Sequence, residues 1–466
     1  MTQPPRQRLA GYAAARLGAW AAGFDAATDA PAGVREAARR ALVDVVGCAL
    51  AGSRHPTTLA VADHARAHLG GGRCSMAGGA PAGPLAAAMV NATAAHVLDF
   101  DDTCFEGVAH ISAVVWPAVQ AAAETAAATG GDLLSAFIAG AEAEAALGRS
   151  LGRGLYDRGW WNTALLGAVG AAAGAARALR LDAGRTTAAI ALALAFAGGQ
   201  RSVLGTTAKP AGCGLAARAG LEAALLARSG IEAPVDALEE PRGFAALANG
   251  GHHDPAGFDG LGARFALIDP GFAFKAYPAC SAAQAVIEAT LMLRIAHGLR
   301  PDAVAAVRCE VTPLVVASLT FDRPETPTEA QFSLPYAVAR ALVDGRFDTA
   351  SLAPDALADA TVRRLMPAIG MTASEALAQS PADLVDHPEA AIVTIDTHDG
   401  CHLRQAVPAA TGMPANPMPD ETLDAKFRAN AAPAIGRSPA EALLGRLRGI
   451  DGLAQAAGLL TEGEAA

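Results

Sequence analysis

Apolar residues in this chain recur at every third and fourth position for most of its length, and the residues filling them are mainly alanine and glycine. Both facts confine the chain to helices in close contact. The stretch VREAARRALVDVVGCALAG sets the pattern, with charges on the opposite face, and Gly52 with SRHP ends it. LGGGRCSMAGGAPAG reads as a glycine-rich loop. Further helices follow in AVVWPAVQAAAETAAATGGDLLSAFIAGAEAEAALGRSLG, TALLGAVGAAAGAARALRLD, RTTAAIALALAFAGG and GLAARAGLEAALLARSG, and no strand pattern of useful length precedes residue 265. Hydrophobic residues make up 52% of the 466, but aromatics only 5%, so a large core is available and must be built from small contact side chains.

The character changes near Asp269. DAVAAVRCEVTPLVVASL and AAIVTIDTHDGCHLRQAVP carry β-branched residues in partial alternation, the second folded around a turn at His398-Asp399-Gly400. Helical segments SAAQAVIEATLMLRIAHG and SLPYAVARALVDG lie between them, and the tail from DETLDAKFRANAAPAIG returns to helix. The expected fold is mainly α: a large all-helical domain formed by residues 1–268 plus 406–466, with a smaller α+β domain inserted at 269–405.

Charge and cysteine usage narrow the function. A net charge of −10 with no basic block argues against a nucleic-acid or anionic-membrane surface, so any lysine near a site carries extra weight. The seven cysteines are odd in number and form no C-x-x-C pair, which is the usage of a reducing compartment. MTQPPRQRLAGYAAARLGAW has no long apolar segment of a secretory signal, so a cytoplasmic protein is expected. The uncharged runs Trp160 to Ala176 and Thr186 to Gln200 are alanine- and glycine-rich, and read as buried helices rather than membrane spans. GAVGAAAG has no preceding strand, HLGGGRC lacks the lysine of a phosphate loop, and the pairs His252-His253 and His398/His402 read as solvated turns.

One segment breaks the apolar pattern. In HVLDFDDTCFEGVAH, Asp99, Asp101 and Asp102 stand between His96 and His110. If the preceding helix persists, His96, Asp99 and Asp102 share a face and Asp101 points elsewhere. Carboxylates at a helix C-terminus oppose its dipole, and crowding raises a carboxyl pKa toward the range of a general acid or base. Capping by Asp101 and Asp102 beside packed histidines is one alternative, and a divalent-metal site is another. Lysine is rare here, arginine being used almost everywhere. Lys209, in GTTAKPAGCG, starts a helix where backbone N–H groups and an ammonium together favour an anion, and Lys275 is a lone cation between Phe274 and Tyr277. Cys213 and Cys280 lie close by in sequence, with nothing in their context that marks a nucleophile.

AHVLDFDDT followed by HISAVVWPA resembles the signature of the MmgE/PrpD family, the superfamily of 2-methylcitrate dehydratase, cis-aconitate decarboxylase and iminodisuccinate epimerase. ALVDVVGCALAG, TTAKPAGCGLAARAGLEAALLARSGI, FKAYPAC, EAQFSLPYAVARALVDG and NPMPDETLDAKF are similar to further family segments in the same order. The resemblance implies a helical domain from both chain ends, an inserted α+β lid, a homodimer, and a cleft site without metal or organic cofactor. It implies action on a small carboxylate by moving a proton next to a carboxylate group. Carried over, Asp99, Asp102 and His110 form one wall, Lys209 and Lys275 face the substrate's carboxylates, and Tyr277 lies beside the lid lysine. The chain also departs from the family: Trp161, Gly212 and Gln284 stand where histidines are usual, and Ile111 replaces a proline. With Cys280 these three residues are expected to line an altered pocket, because a citrate-like substrate would lose polar partners there. The implied function is a cofactor-independent lyase, of dehydratase, hydratase or decarboxylase type. An epimerase using the same α-proton step and an inactive carboxylate-binding paralogue are the alternatives.

Overall fold

The computed structural model describes residues 11–377 and 387–460; residues 1–10, part of the N-terminal stretch read for a signal, lie outside them. The long helices are, in chain order, α1 (Ala13–Gly23), α2 (Ala32–Gly52), α3 (Pro56–His68), α4 (Pro84–His96), α5 (Ile111–Thr125), α6 (Gly130–Leu151), α7 (Asn162–Ala178), α8 (Ala183–Phe196), α9 (Ala208–Arg228), α10 (Gln284–His297), α11 (Leu334–Asp344), α12 (Asp420–Ile435) and α13 (Arg437–Arg448). The mainly α architecture expected from the apolar period is the one observed.

Helix α7 is buried along nearly its whole length, and α5, α6, α8 and α9 pack around it. Small side chains make this approach feasible. A Cβ on Gly170 would stand 2.7 Å from the Glu144 carboxylate and 3.0 Å from the Gly140 carbonyl oxygen, and one on Gly220 would stand 2.5 Å from the Ala168 carbonyl oxygen. Backbones this close leave no room for a methyl group, so van der Waals contact is made between main chains. The first uncharged run is thus an interior helix, the second is mostly buried only from Thr186 to Leu194 and exposes Phe196 at its end, and no helix among the described residues is long and apolar enough to cross a membrane.

Buried apolar residues form a large core drawn from Ala13 to Phe274 and from Met418 to Leu460, and a smaller one drawn from Ala273 to Met413. The smaller core lies against a four-stranded sheet of order β4-β3-β5-β6, with β3 (Val304–Val311), β4 (Ile369–Ala373), β5 (Ala391–Thr397) and β6 (His402–Val407). Strand β3 pairs in parallel with β4 and antiparallel with β5, and β5 and β6 form the expected hairpin, whose Gly400 takes a left-handed φ of 87°.

Two strand features depart from the sequence reading. The glycine-rich loop contains a short hairpin of β1 (Cys74–Met76) and β2 (Gly79–Ala82), so the larger body is not all helix. Asn91 and Glu124 on neighbouring helices hold it: Asn91 bridges Ala77 N–H and the Ser75 carbonyl, and Glu124 accepts from the Ser75 N–H and hydroxyl. Strand β4 was not read because IGMTA sits at a sheet edge with only Ile369 buried, leaving no alternation to detect.

Candidate active site

Helix α4 stops at His96, earlier than a shared face for His96, Asp99 and Asp102 requires. The chain leaves it through Asp99, which takes a left-handed φ of 50°, a conformation an aspartate tolerates better than most residues. This turn aims the Asp99 carboxylate between two lysines. Lys275 Nζ lies 2.5 Å from Asp99 Oδ1 and donates to the Asp99 carbonyl at 2.8 Å, while Lys209 Nζ donates to Asp99 Oδ2 at 3.1 Å. Burial alone would raise the Asp99 pKa, but the two ammonium groups outweigh it and hold the carboxyl well below its usual range. The same ion pairing keeps Lys275 charged despite complete burial, its pKa lying above the ordinary lysine value.

Asp101, expected to point elsewhere, joins this cluster, whereas Asp102 does not. His96 Nδ1 lies 2.9 Å from Asp101 Oδ2, and Lys209 Nζ lies 2.5 Å from His96 Nε2. An ammonium only donates, so Nε2 accepts, Nδ1 carries the proton, and His96 is neutral. Burial is the main force pushing its pKa down. An unbroken chain of hydrogen bonds therefore runs from Asp101 through His96, Lys209 and Asp99 to Lys275. Asp102 instead turns toward the start of α5, accepting from the Ser112 N–H at 3.3 Å, while its Oδ2 has no partner among the described residues. Burial raises its pKa to about 8, so it is a neutral acid near pH 7.

His110 stacks against His96 with ring centroids 4.6 Å apart. Its Nδ1 lies 2.7 Å from the Asp102 carbonyl oxygen, which only accepts, so the proton sits on Nδ1 and Nε2 presents a lone pair. Burial, then the positive charge of Lys275, depresses its pKa well below the ordinary histidine value. With 14% of its side chain exposed, against 0% for His96 and Asp101, His110 is the imidazole of this cluster that solvent reaches. A partly accessible neutral imidazole with a free Nε2 lone pair has the chemistry a general base needs. Each lysine has two of its three N–H groups engaged, leaving one apiece for an incoming anion. Carboxylate and imidazole atoms of His96, Asp99, Asp101 and His110 lie within 4.8 Å of one another, the spacing of a metal site, but the ammonium groups take the Asp99 oxygens and the His96 lone pair a cation would use.

The expected pocket residues divide. Trp161 is 4% exposed and turns inward, its ring 5.6 Å from the His96 ring and also 5.6 Å from Lys209 Nζ. Gly212 lies beneath it: a Cβ there would stand 2.8 Å from Trp161 Cζ3. The two residues form one packing unit, in which the indole fills the space a side chain at 212 would need. Cys280 is close enough to Asp99, Glu389 and Lys275 to feel their charges, and burial drives its thiol pKa to about 12, so it is inert as a nucleophile at neutral pH. Gln284 faces backbone instead of a pocket. Its Oε1 accepts from the Ala276 and Tyr277 N–H groups, and its Nε2 donates to the Tyr277 and Ala279 carbonyls, which fixes the loop presenting Lys275. Tyr277 packs against the smaller core, with its pKa raised to about 12 by burial, and lies outside the hydrogen-bonded chain.

Two groups of this region were not singled out in the sequence. Lys426 donates to Asp44 Oδ1 at 2.6 Å and to the Phe100 and Lys275 carbonyls at 2.8 Å, tying the returning helix α12 to both site loops. The sequence holds only three lysines, Lys209, Lys275 and Lys426, and all three converge here. The scarcity argument applied to the first two would have found the third. Glu389, the other, stands next to β5 and is 6% exposed; no pattern in its sequence neighbourhood marks it.

The MmgE/PrpD N-terminal domain matches residues 15–255 and the MmgE/PrpD C-terminal domain matches residues 277–445. The chain belongs to the MmgE/PrpD family. Its relatives include the cis-aconitate decarboxylase of Aspergillus terreus, 28% identical over 95% of this chain and 94% of the relative. The mouse cis-aconitate decarboxylase is 28% identical over 78% of this chain and 74% of its own length, and the human one 27% identical over 81% and 79%. Asp99, Asp101, His110 and Lys209 lie within the N-terminal match, and Lys275 stands between the two matches.

Proposed function

We propose that this chain is a cofactor-independent lyase of decarboxylase type, acting on a small carboxylic acid of the cis-aconitate class. The observation that carries this reading is the neutral His110, whose free Nε2 lies 3.8 Å from the Asp99 carboxylate that two buried ammonium groups clasp. Such a site can remove or hold a proton at a carbon next to a carboxylate while the spare ammonium N–H groups stabilise the negative charge that develops. The relatives' activity supports the same class of chemistry. Trp161 over Gly212 makes one wall apolar, so the preferred substrate has fewer polar groups than a citrate.

A homodimer in the cytoplasm belongs to this reading, supported by the family and by seven cysteines that are all free thiols. The test is proton NMR in D2O together with carbon dioxide release, using cis-aconitate, 2-methylcitrate and substituted succinates. Carbon dioxide with deuterium in the product is expected. Deuterium exchange without carbon dioxide would assign the chain to epimerases instead, and a folded protein inert toward the whole panel would overturn the reading.

A further inference from the structure

A cavity of about 520 Å3 lies between the two cores, lined by Phe105, Arg264 and Asp269 from the helical side and by His387, Glu389 and Met413 from the other. Its rim reaches solvent, since Arg264, Asp269, Pro408 and Ala415 are exposed. Glu389 lines this cavity and lies near enough to the buried cluster to feel its charges. Its Oε1 accepts from the Ser281 hydroxyl at 2.7 Å, and its Oε2, although buried, has no partner among the described residues. The residue is held firmly: the Pro388 carbonyl accepts from the Thr312 hydroxyl at 2.6 Å, and β5 begins two residues later. On the cluster side, Lys275 and Asp99 lie near enough to act on its charge, with opposite signs. Cys280 and Tyr156 are within range of its charge, and Arg264, Asp269 and His387 share the cavity.

We propose that Glu389 is the proton donor of the reaction and that this cavity is its route to solvent. The inference rests on the lyase reading given above. Decarboxylation breaks the carbon–carbon bond to a carboxylate, carbon dioxide departs, and the electron pair left on carbon must take up a proton. The cluster's other groups are poorly placed to supply it. Lys275 holds its proton tightly beside Asp99, His96 and His110 are neutral with Nδ1 protons committed to Asp101 and to the Asp102 carbonyl, and the protonated Asp102 turns away toward Ser112 at the start of α5. Glu389 gives the proton from Oε2, a C–H bond forms, and the resulting carboxylate regains a proton from water in the cavity. Burial raises its pKa to about 7, so the acid form is present at neutral pH, and the Ser281 hydroxyl favours the charged form.

The experiment measures carbon dioxide release from cis-aconitate against pH for the full-length wild type, Glu389→Gln, Glu389→Asp and Ser281→Ala. Wild-type activity is expected to fall as pH rises through about 7, where Glu389 loses its proton. Glu389→Gln should lower kcat by about 100-fold with KM little changed, and Glu389→Asp should restore part of the rate. Ser281→Ala removes a bond to the carboxylate and should shift the alkaline limb to higher pH; it carries the test should Glu389→Gln fail to fold. An active wild type whose rate and alkaline limb survive in Glu389→Gln, or whose limb stays in place in Ser281→Ala, would overturn the role of Glu389 and leave the lyase reading standing. A wild type releasing no carbon dioxide from any of the carboxylates would overturn the reading and this role together.

Discussion

Asp99 balances two buried ammonium groups, so neutralising it strands both of them in a medium that solvates charge poorly. Asp99→Asn should therefore cost about 3–5 kcal/mol in urea unfolding as well as abolishing turnover, because breaking a buried ion pair from one side leaves an uncompensated charge. Adding Lys275→Met should return part of that stability and none of the activity, which separates folding from chemistry. His110 makes a prediction with a definite sign. Its folded-state pKa is depressed, so between that value and about 6.5 the unfolded chain binds more protons than the folded one, and stability rises with pH. The same depression keeps the base neutral, so the acid limb of kcat/KM should lie below about pH 6.5. A limb at or above the ordinary histidine value would contradict a base buried beside Lys275.

At the scale of elements, the clash built into Gly212 makes a prediction of its own. Gly212→Ala places a Cβ 2.8 Å from Trp161 Cζ3 and should destabilise α9 against the site by about 1–3 kcal/mol. In a thermal-unfolding double-mutant cycle with Trp161→Ala most of that cost should vanish; an additive pair would mean the indole does not fill this space. The helices and the β5–β6 hairpin were legible in the sequence because their signals are local, an apolar period and an Asp-Gly turn. The end of α4 was not. Its left-handed Asp99 is held by Lys209 and Lys275, which are 110 and 176 residues away in sequence, and no local residue announces it. That single turn exchanged the roles of Asp101 and Asp102. Gln284 was read as a pocket residue for the same reason, since its four hydrogen bonds are visible only once the loop after Lys275 has folded back on it.

At the scale of the whole molecule, three lysines are the chain's full complement and all are buried around one site, while its arginines supply the exposed cations. An amine-reactive reagent should thus modify no lysine side chain in the native protein and three after unfolding, counted by mass spectrometry. Burial also makes stability decline from acid toward neutral pH. Asp102 binds a proton in the folded state up to about pH 8. The unfolded chain has released that proton by about pH 4, so stability falls as pH rises between the two values. Asp102→Asn should flatten this slope in urea titrations. We further propose that the smaller core, together with its sheet, is a lid over the cluster, because Lys275 arrives from the segment that opens it and Asp99 from the larger body. The central claim is that the Asp99 cluster performs the chemistry. The direct measurement is carbon dioxide release and deuterium incorporation from cis-aconitate in D2O, wild type against Asp99→Asn folded at low temperature. Release with deuterium from the wild type and none from the variant is the predicted result; equal turnover by both would show that the reaction takes place elsewhere.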